Sequence, residues 1–99
     1  MPYSVLLKPG AEGDTEQAYN WYEEQRMGLG DEFLSELENI YSKLENLPTA
    51  YGKLSRIYRR APLNRFPYIV IFEIRKQDVI IYAVFHTSRK PRLRFNRKK

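Results

Sequence analysis

The side chains able to do chemistry are few and lie in the second half of the chain. His86 is the only histidine, and an imidazole with an ordinary pKa of about 6.5 suits acid–base work near neutral pH. Arg89 stands three residues beyond it, and Arg56, Arg59, Arg60 and Arg65 precede it. Arg59, Arg60 and Arg89 have the best claim to function, because cations on adjacent strand ends can converge on one anion. The plainer reading of His86 is a strand-end residue hydrogen-bonded to the backbone. Tyr58, between Ile57 and Arg59, either stacks on a base or packs beneath the neighbouring loop. Cysteine is absent, which excludes a disulfide framework and every thiolate metal site and fits a reducing cytosol. No glycine-rich phosphate loop, serine-nucleophile constellation or metal-ligand cluster occurs, so neither metal nor cofactor is expected.

Charge is divided unevenly along the 99 residues. Residues 1–50 carry three basic and ten acidic side chains, a net −7; residues 51–99 carry fourteen basic and two acidic ones, a net +12. The remainder, +5, survives any internal pairing of the two halves. The basic half therefore presents a field to an anionic partner, either nucleic acid or an acidic protein segment. The length supports one compact domain with a single modest core, 1–99. No run of about 18 apolar residues is present to span a membrane, and the opening stretch lacks the pattern of a signal peptide.

The elements that must position these groups follow from periodicity. Tyr3-Ser4-Val5-Leu6-Leu7, closed by Pro9-Gly10, reads as a strand. A helix follows with Ala11, Ala18, Trp21, Tyr22 and Gln25 at helical spacing, and Gly28 is placed to end it in the left-handed conformation. Trp21 and Tyr22 are expected to pack within the helical hairpin. A second helix spans Asp31–Leu47, its apolar stripe running from Leu29 through Phe33, Leu34, Leu37, Ile40, Tyr41, Leu44 and Leu47 until Pro48 stops it. The short link between the helices implies an antiparallel hairpin. Strands are expected at Arg56–Ala61, Phe66–Ile74 and Val79–His86. The result is an α+β domain: an N-terminal strand, an antiparallel two-helix hairpin packed on an antiparallel β-sheet, and a basic C-terminal tail at about 89–99.

A two-residue turn at Lys76-Gln77 pairs Arg75 with Asp78, a favourable cross-strand charge pair. That register puts Tyr68, Val70, Phe72 and Ile74 on one face with Val79, Ile81, Ala83 and Phe85. The other face carries Ile69, Ile71 and Glu73 with Ile80, Tyr82, Val84 and His86. One face is the core beneath the helices, yet the second is also largely apolar, where a small antiparallel sheet is normally polar and wet. A second apolar face implies a cover. The tail offers only Leu93 and Phe95 for that purpose, alongside seven basic residues, so a partner chain is the preferred cover. A register differing by one residue would exchange the faces.

Several segments in order along the chain resemble the ParE branch of the RelE/ParE toxin superfamily. They are Trp21-Tyr22-Glu23-Glu24-Gln25, Gly28-Leu29-Gly30, Phe33 with Glu36-Leu37, Leu47-Pro48-x-Ala50-Tyr51, Arg65-Phe66-Pro67-Tyr68 and His86-x-x-Arg89-x-Pro91. Met27 stands where relatives commonly have a proline. The resemblance implies the toxin half of a bacterial type II toxin–antitoxin pair, cytoplasmic and associated with plasmid stabilization. It implies a cognate antitoxin whose extended or helical C-terminal segment is disordered until bound, which suits an acidic amphipathic peptide on a cationic surface. Ile69, Ile71, Tyr82 and Val84 are then the expected antitoxin contacts, with DNA reached only through the antitoxin.

ParE-like members poison DNA gyrase and are not nucleases, whereas RelE-like members cleave messenger RNA on the ribosome. The target contacts expected here are Arg59, Arg60, Arg65, Arg89, Arg92 and Arg94. The alternative, a ribosome-dependent endoribonuclease, would use His86, Arg89 and Arg60: cleavage needs a group to take the 2′-hydroxyl proton, a donor for the leaving oxygen and cations for the phosphorane. Phe95 occupies the place where several nucleases carry a tyrosine, which argues against that alternative. A non-toxic relic that still holds an antitoxin is the third reading.

Overall fold

The computed structural model describes residues 2–88. Arg89 and the basic tail that follows it lie outside the described residues. The elements in chain order are β1 (Ser4–Leu7), α1 (Pro9–Gln25), α2 (Leu29–Asn46), β2 (Tyr58–Pro62), β3 (Tyr68–Arg75) and β4 (Asp78–His86). A single 3-10 turn at Pro48–Ala50 follows α2. The strands form one sheet in the order β1-β4-β3-β2, with the helical hairpin covering one face. The architecture is α+β. β2, β3 and β4 pair antiparallel, as the hairpin reading implies, but β1 lies parallel to β4, so the sheet is mixed. A chain that passes through two helices before re-entering a sheet is free to pair either way.

Proline and glycine set the helix boundaries. Pro9 does not close β1; it opens α1, where its fixed φ and missing N–H suit the first helical turn. α1 stops at Gln25, before the glycine expected to cap it. Gly28 does adopt the left-handed conformation, φ 91°, but as the residue preceding α2. The Glu23 carboxylate then accepts from the Gly28 N–H, at 3.1 Å, and from the Gly30 N–H, at 3.0 Å. It thereby satisfies otherwise unpaired donors at the start of α2 and ties the two helices together. Gly30 must be glycine because a Cβ there would meet the Tyr19 ring at 2.7 Å and Glu23 Cγ at 2.8 Å. α2 ends at Asn46, two residues short of Pro48, whose ring disfavours helical backbone in the residue before it.

The stripe of α2 is buried as its spacing demands: Phe33, Leu37, Ile40 and Leu44 join Ala11, Ala18 and Tyr22 of α1 over the sheet. Beneath them lie Val70 and Phe72 of β3, Val79, Ile81 and Val84 of β4, and Ala61 of β2. One end of this layer is aromatic. Tyr22 packs edge-on against Phe66, ring centroids 4.9 Å apart, and Phe33 meets both Phe66 and Tyr68 at 5.4 and 5.2 Å. Each such contact adds about 0.5–1.5 kcal/mol beyond area burial. Tyr22 fulfils the packing expectation, whereas Trp21 does not: it is 55% exposed.

The Lys76-Gln77 turn forms and Arg75 pairs with Asp78, followed by Ile74 with Val79, Glu73 with Ile80 and Phe72 with Ile81. The register then slips. Ile71 pairs with Ala83, leaving Tyr82 as the extra residue of a β-bulge. Beyond the slip Val70 faces Val84 and Tyr68 faces His86. Val84 and His86 therefore share the core side with Val70 and Tyr68, while Ala83 and Phe85 share the outer side with Ile71 and Ile69. This corrects the facial assignment drawn from unbroken alternation, for Val84 above all. Asp14 of α1 serves the same region, its carboxylate accepting from the Val84 N–H at 3.0 Å.

Two measurements follow from these features. Asp14→Ala leaves the Val84 N–H without that acceptor and is expected to lower stability by about 1–3 kcal/mol in urea denaturation; an unchanged midpoint would contradict the role given to Asp14. Lys76 holds φ 58°, a backbone that glycine adopts without strain, so Lys76→Gly is expected to raise stability by about 1 kcal/mol.

Candidate functional site

The sheet's outer face is built by alternate residues of all four strands and by the bulge. β1 contributes Leu6, 50% exposed, beside Ile80 of β4. β3 contributes Glu73, Ile71 and Ile69, which pair with Tyr58, Arg60 and Pro62 of β2. At the bulge two successive residues, Tyr82 and Ala83, face outward, and Phe85 follows. Bulges commonly re-aim a side chain beside a functional surface. Here the re-aimed residues follow Tyr82: Ala83 and Phe85 turn outward and Val84 turns to the core.

Tyr82 is the hub of a polar and aromatic cluster on this face. Its hydroxyl donates to Glu73 Oε1 at 2.8 Å, and its ring meets that of Tyr58 edge-on, 5.4 Å between centroids. Lys8 sets its ammonium 6.0 Å from the Tyr82 ring centroid, at the outer reach of a cation–π contact. Arg75 pairs with Glu73 at 3.2 Å. Burial pushes the Tyr82 phenol up to about 12, the hydrogen bond to Glu73 and its charge adding to the effect while Arg75 opposes it. The phenol is thus neutral at physiological pH and acts as a donor. Glu73 and, at the hairpin end, Asp78 are the carboxylates among the outward residues of β2, β3 and β4; Arg75 pairs with Glu73, and Lys8 and Arg60 add positive charge to the same face.

The expected antitoxin contacts separate. Tyr82 and Ile69 lie on the outer face, half-buried. Ile71 faces the same way but is fully buried. Val84 is in the core with 1% exposure and offers nothing to a partner. Ile80 lies on this face as the register implied, while Phe85, Leu6, Tyr58 and Lys8 belong to the surface and were not foreseen. An outward Phe85 follows only from the bulge, and no turn residue in Tyr82-Ala83-Val84 signals one.

The arginines separate too. Arg59 lies on the core side, opposite Phe72, where its Nη1 donates to the Tyr51 carbonyl at 2.7 Å. Arg65 is held by α2: its Nη2 lies 2.6 Å from Glu32 Oε1, and its backbone N–H donates to Glu36 at 3.2 Å. The Asn64 N–H donates to Glu36 as well. The Arg65 hydrogen bond holds the Glu32 carboxyl below its usual range, as an interaction with the ionised form must. Both arginines therefore fasten loops to the body of the domain. Arg60 is exposed on the outer face. Arg89, Arg92 and Arg94 lie outside the described residues.

His86 and Arg60 do not meet. His86 pairs with Tyr68 on the core side of β4, its ring 5.2 Å from the Tyr68 ring, whereas Arg60 pairs with outward Ile71. The His86 Nδ1 accepts from the Ser88 N–H at 3.2 Å and lies 2.7 Å from the Ser88 hydroxyl. That is the backbone-bonded strand-end arrangement weighed above. Among the described residues no group of three or more His, Cys, Asp or Glu side chains is placed to hold a metal ion, and no helix is long and apolar enough to cross a membrane.

The model of the ParE toxin of type II toxin–antitoxin systems, parDE, matches residues 5–91. A solved chain from the chromosomal ParDE toxin–antitoxin system of P. aeruginosa superposes with a TM-score of 0.75 over 85% of this chain and 95% of that one, at 16% identity. That likeness is one of fold. No curated protein matches by sequence.

The geometry around Tyr82 makes a titration prediction. Its phenol is favoured neutral in the folded state, so the associated stability is complete below pH 10, the ordinary tyrosine value, and is lost as pH rises towards 12. The Tyr82 ring Cζ resonance is expected to titrate with a midpoint of about 12, and Glu73→Gln should lower that midpoint. A midpoint of 10 in the unaltered protein would contradict the arrangement.

Proposed function

The chain belongs to the ParE toxin family of type II toxin–antitoxin systems, and from that membership we propose that it arrests bacterial growth by inhibiting DNA gyrase and is neutralised by a cognate antitoxin seated on the outer face of its sheet. The observation that carries the reading is that face itself. It is a four-stranded surface bearing Leu6, Ile69, Ile80, Tyr82 and Phe85, bordered by Lys8, Arg60 and Arg75. An apolar floor with a cationic border is complementary to a segment that is both apolar and acidic. A segment disordered until bound is well suited to it, because it orders along the breadth of a flat sheet and covers area that a rigid convex partner would miss. The net +12 of residues 51–99 adds a long-range attraction that raises the association rate.

Action by protein contact rather than by RNA cleavage is supported by the opposed orientations of His86 and Arg60. A nuclease must bring its proton-transfer group and its phosphate-binding cations to one substrate. Here the imidazole is engaged by Ser88 on the helix side and the exposed arginine is across the sheet.

Induced expression in a bacterial host is the direct test. Gyrase inhibition is expected to give filamentation and a DNA-damage response before translation falls, with growth restored by co-expression of the cognate antitoxin, which is expected to be a small acidic protein encoded in an adjacent reading frame. His86→Ala should remain toxic. Ile69→Glu should weaken antitoxin binding by at least about tenfold. Early arrest of translation with messenger RNA cleavage, abolished by His86→Ala, would contradict the proposal, as would the absence of any growth effect.

A further inference from the structure

The loop joining the 3-10 turn to β2 carries two large apolar side chains that the fold leaves partly exposed. Ile57 is 58% exposed and Leu54 37%. Single exposed apolar residues are ordinary on protein surfaces; a pair three residues apart on an ordered loop is a feature to account for. The root of the loop is anchored. The Tyr51 ring packs edge-on to Phe72 at 6.2 Å, Arg59 grips the Tyr51 carbonyl, the Arg60 N–H donates to the Gly52 carbonyl at 3.1 Å, and Lys53 bridges to Arg59. The tip is closed on itself. Ser55 Oγ accepts from the Ile57 and Tyr58 N–H groups at 3.3 and 3.1 Å, while the Leu54 and Ser55 N–H groups donate to the Tyr58 carbonyl at 2.8 and 3.1 Å. Lys53 and Arg56 flank the two apolar residues and are exposed; among the described residues neither takes part in an ion pair.

We infer that the Lys53–Ile57 loop is the element with which this toxin grips its protein target, Leu54 and Ile57 entering an apolar groove whose rim supplies carboxylates to Lys53 and Arg56. The inference rests on the reading that the chain acts on a protein target, gyrase, and assigns that contact to a surface distinct from the antitoxin's. Shape separates the two partners. An exposed loop already fixed by its own hydrogen bonds loses little entropy on docking and fits a concavity in a folded protein. The flat outer face instead suits a segment that folds upon it. Position separates them as well, since the loop lies along the β2 edge of the sheet rather than over its face. The unmatched cations state the partner's chemistry: positive charge flanking an apolar insertion is stabilised by acidic groups at the rim of the groove.

Two variants of the full chain test this, Leu54→Ser with Ile57→Ser, and Lys53→Glu with Arg56→Glu. Each is assayed for inhibition of purified gyrase in a supercoiling reaction and for affinity to the co-expressed antitoxin. Both variants are expected to need at least about tenfold more protein for half-inhibition, as loss of central interface contacts does, while antitoxin affinity stays within about threefold of the original. Unchanged inhibition by both variants overturns the inference, and so does a parallel fall in antitoxin affinity. If the apolar variant fails to fold, the charge-reversal variant decides alone, because its two side chains make no ion pair in the free domain. If the unaltered chain arrests growth without inhibiting gyrase, the reading of the target fails but not the assignment of the loop. Growth arrest is then the readout, and loop variants that still arrest growth overturn the inference.

Discussion

One extra residue in β4 determines what this sheet offers to a partner. With continuous alternation Val84 would face outward and Phe85 inward; the bulge at Tyr82 reverses both. The cost is a break in the β3–β4 ladder. The surroundings offset it in two ways: Asp14 accepts from the Val84 N–H, and Tyr82 gains a hydrogen bond to Glu73 and a ring contact with Tyr58. Val84 closes the core beside Ile81 and Val70, while Phe85 and Tyr82 are placed on the exposed side. The composition of the outer face, and with it the case for a partner there, depends on this single slip of register.

Charge follows a similar division of labour. Among the described residues the acidic half and the basic half meet at specific joints, as where Arg65 and its neighbouring backbone are clasped by Glu32 and Glu36 of α2. These exposed pairs add little stability, but they fix the β2–β3 connection against the helix. Arg59 does comparable work through a carbonyl. Arg60, Arg56 and Lys53 remain exposed, and they lie along the β2 side of the sheet. Positive charge is concentrated on that side by subtraction, because the other arginines of the region are already committed.

Much of the fold was legible in the sequence because local patterns dictated it. The stripe from Phe33 to Leu44 permits only a helix with one buried face, and Lys76-Gln77 between two β-rich runs permits only a hairpin with Arg75 opposite Asp78. What local pattern does not encode was missed. Tyr82, Ala83 and Val84 are acceptable in any strand, so nothing in their types marks an inserted residue. The parallel placement of β1 depends on a partner more than seventy residues away. Arg59 and Arg65 look like free cations in sequence, since Glu32 and Glu36 precede Arg65 by some thirty residues and the Tyr51 carbonyl has no sequence signal at all. The outer face was therefore half visible: its apolar character and the outward placement of Tyr82 and Ile69 could be read, but not the turn of Val84 into the core or of Phe85 out of it.

The central claim, that the outer face is the antitoxin's seat, is tested most directly by amide hydrogen exchange of the toxin alone and in complex with its antitoxin. The account predicts that new protection and side-chain shifts concentrate on Leu6, Tyr58, Ile69, Ile80, Tyr82 and Phe85, leaving the solvent side of α1 around Trp21 unchanged. Protection confined to the helical hairpin, with the outer face exchanging as in the free protein, would contradict it.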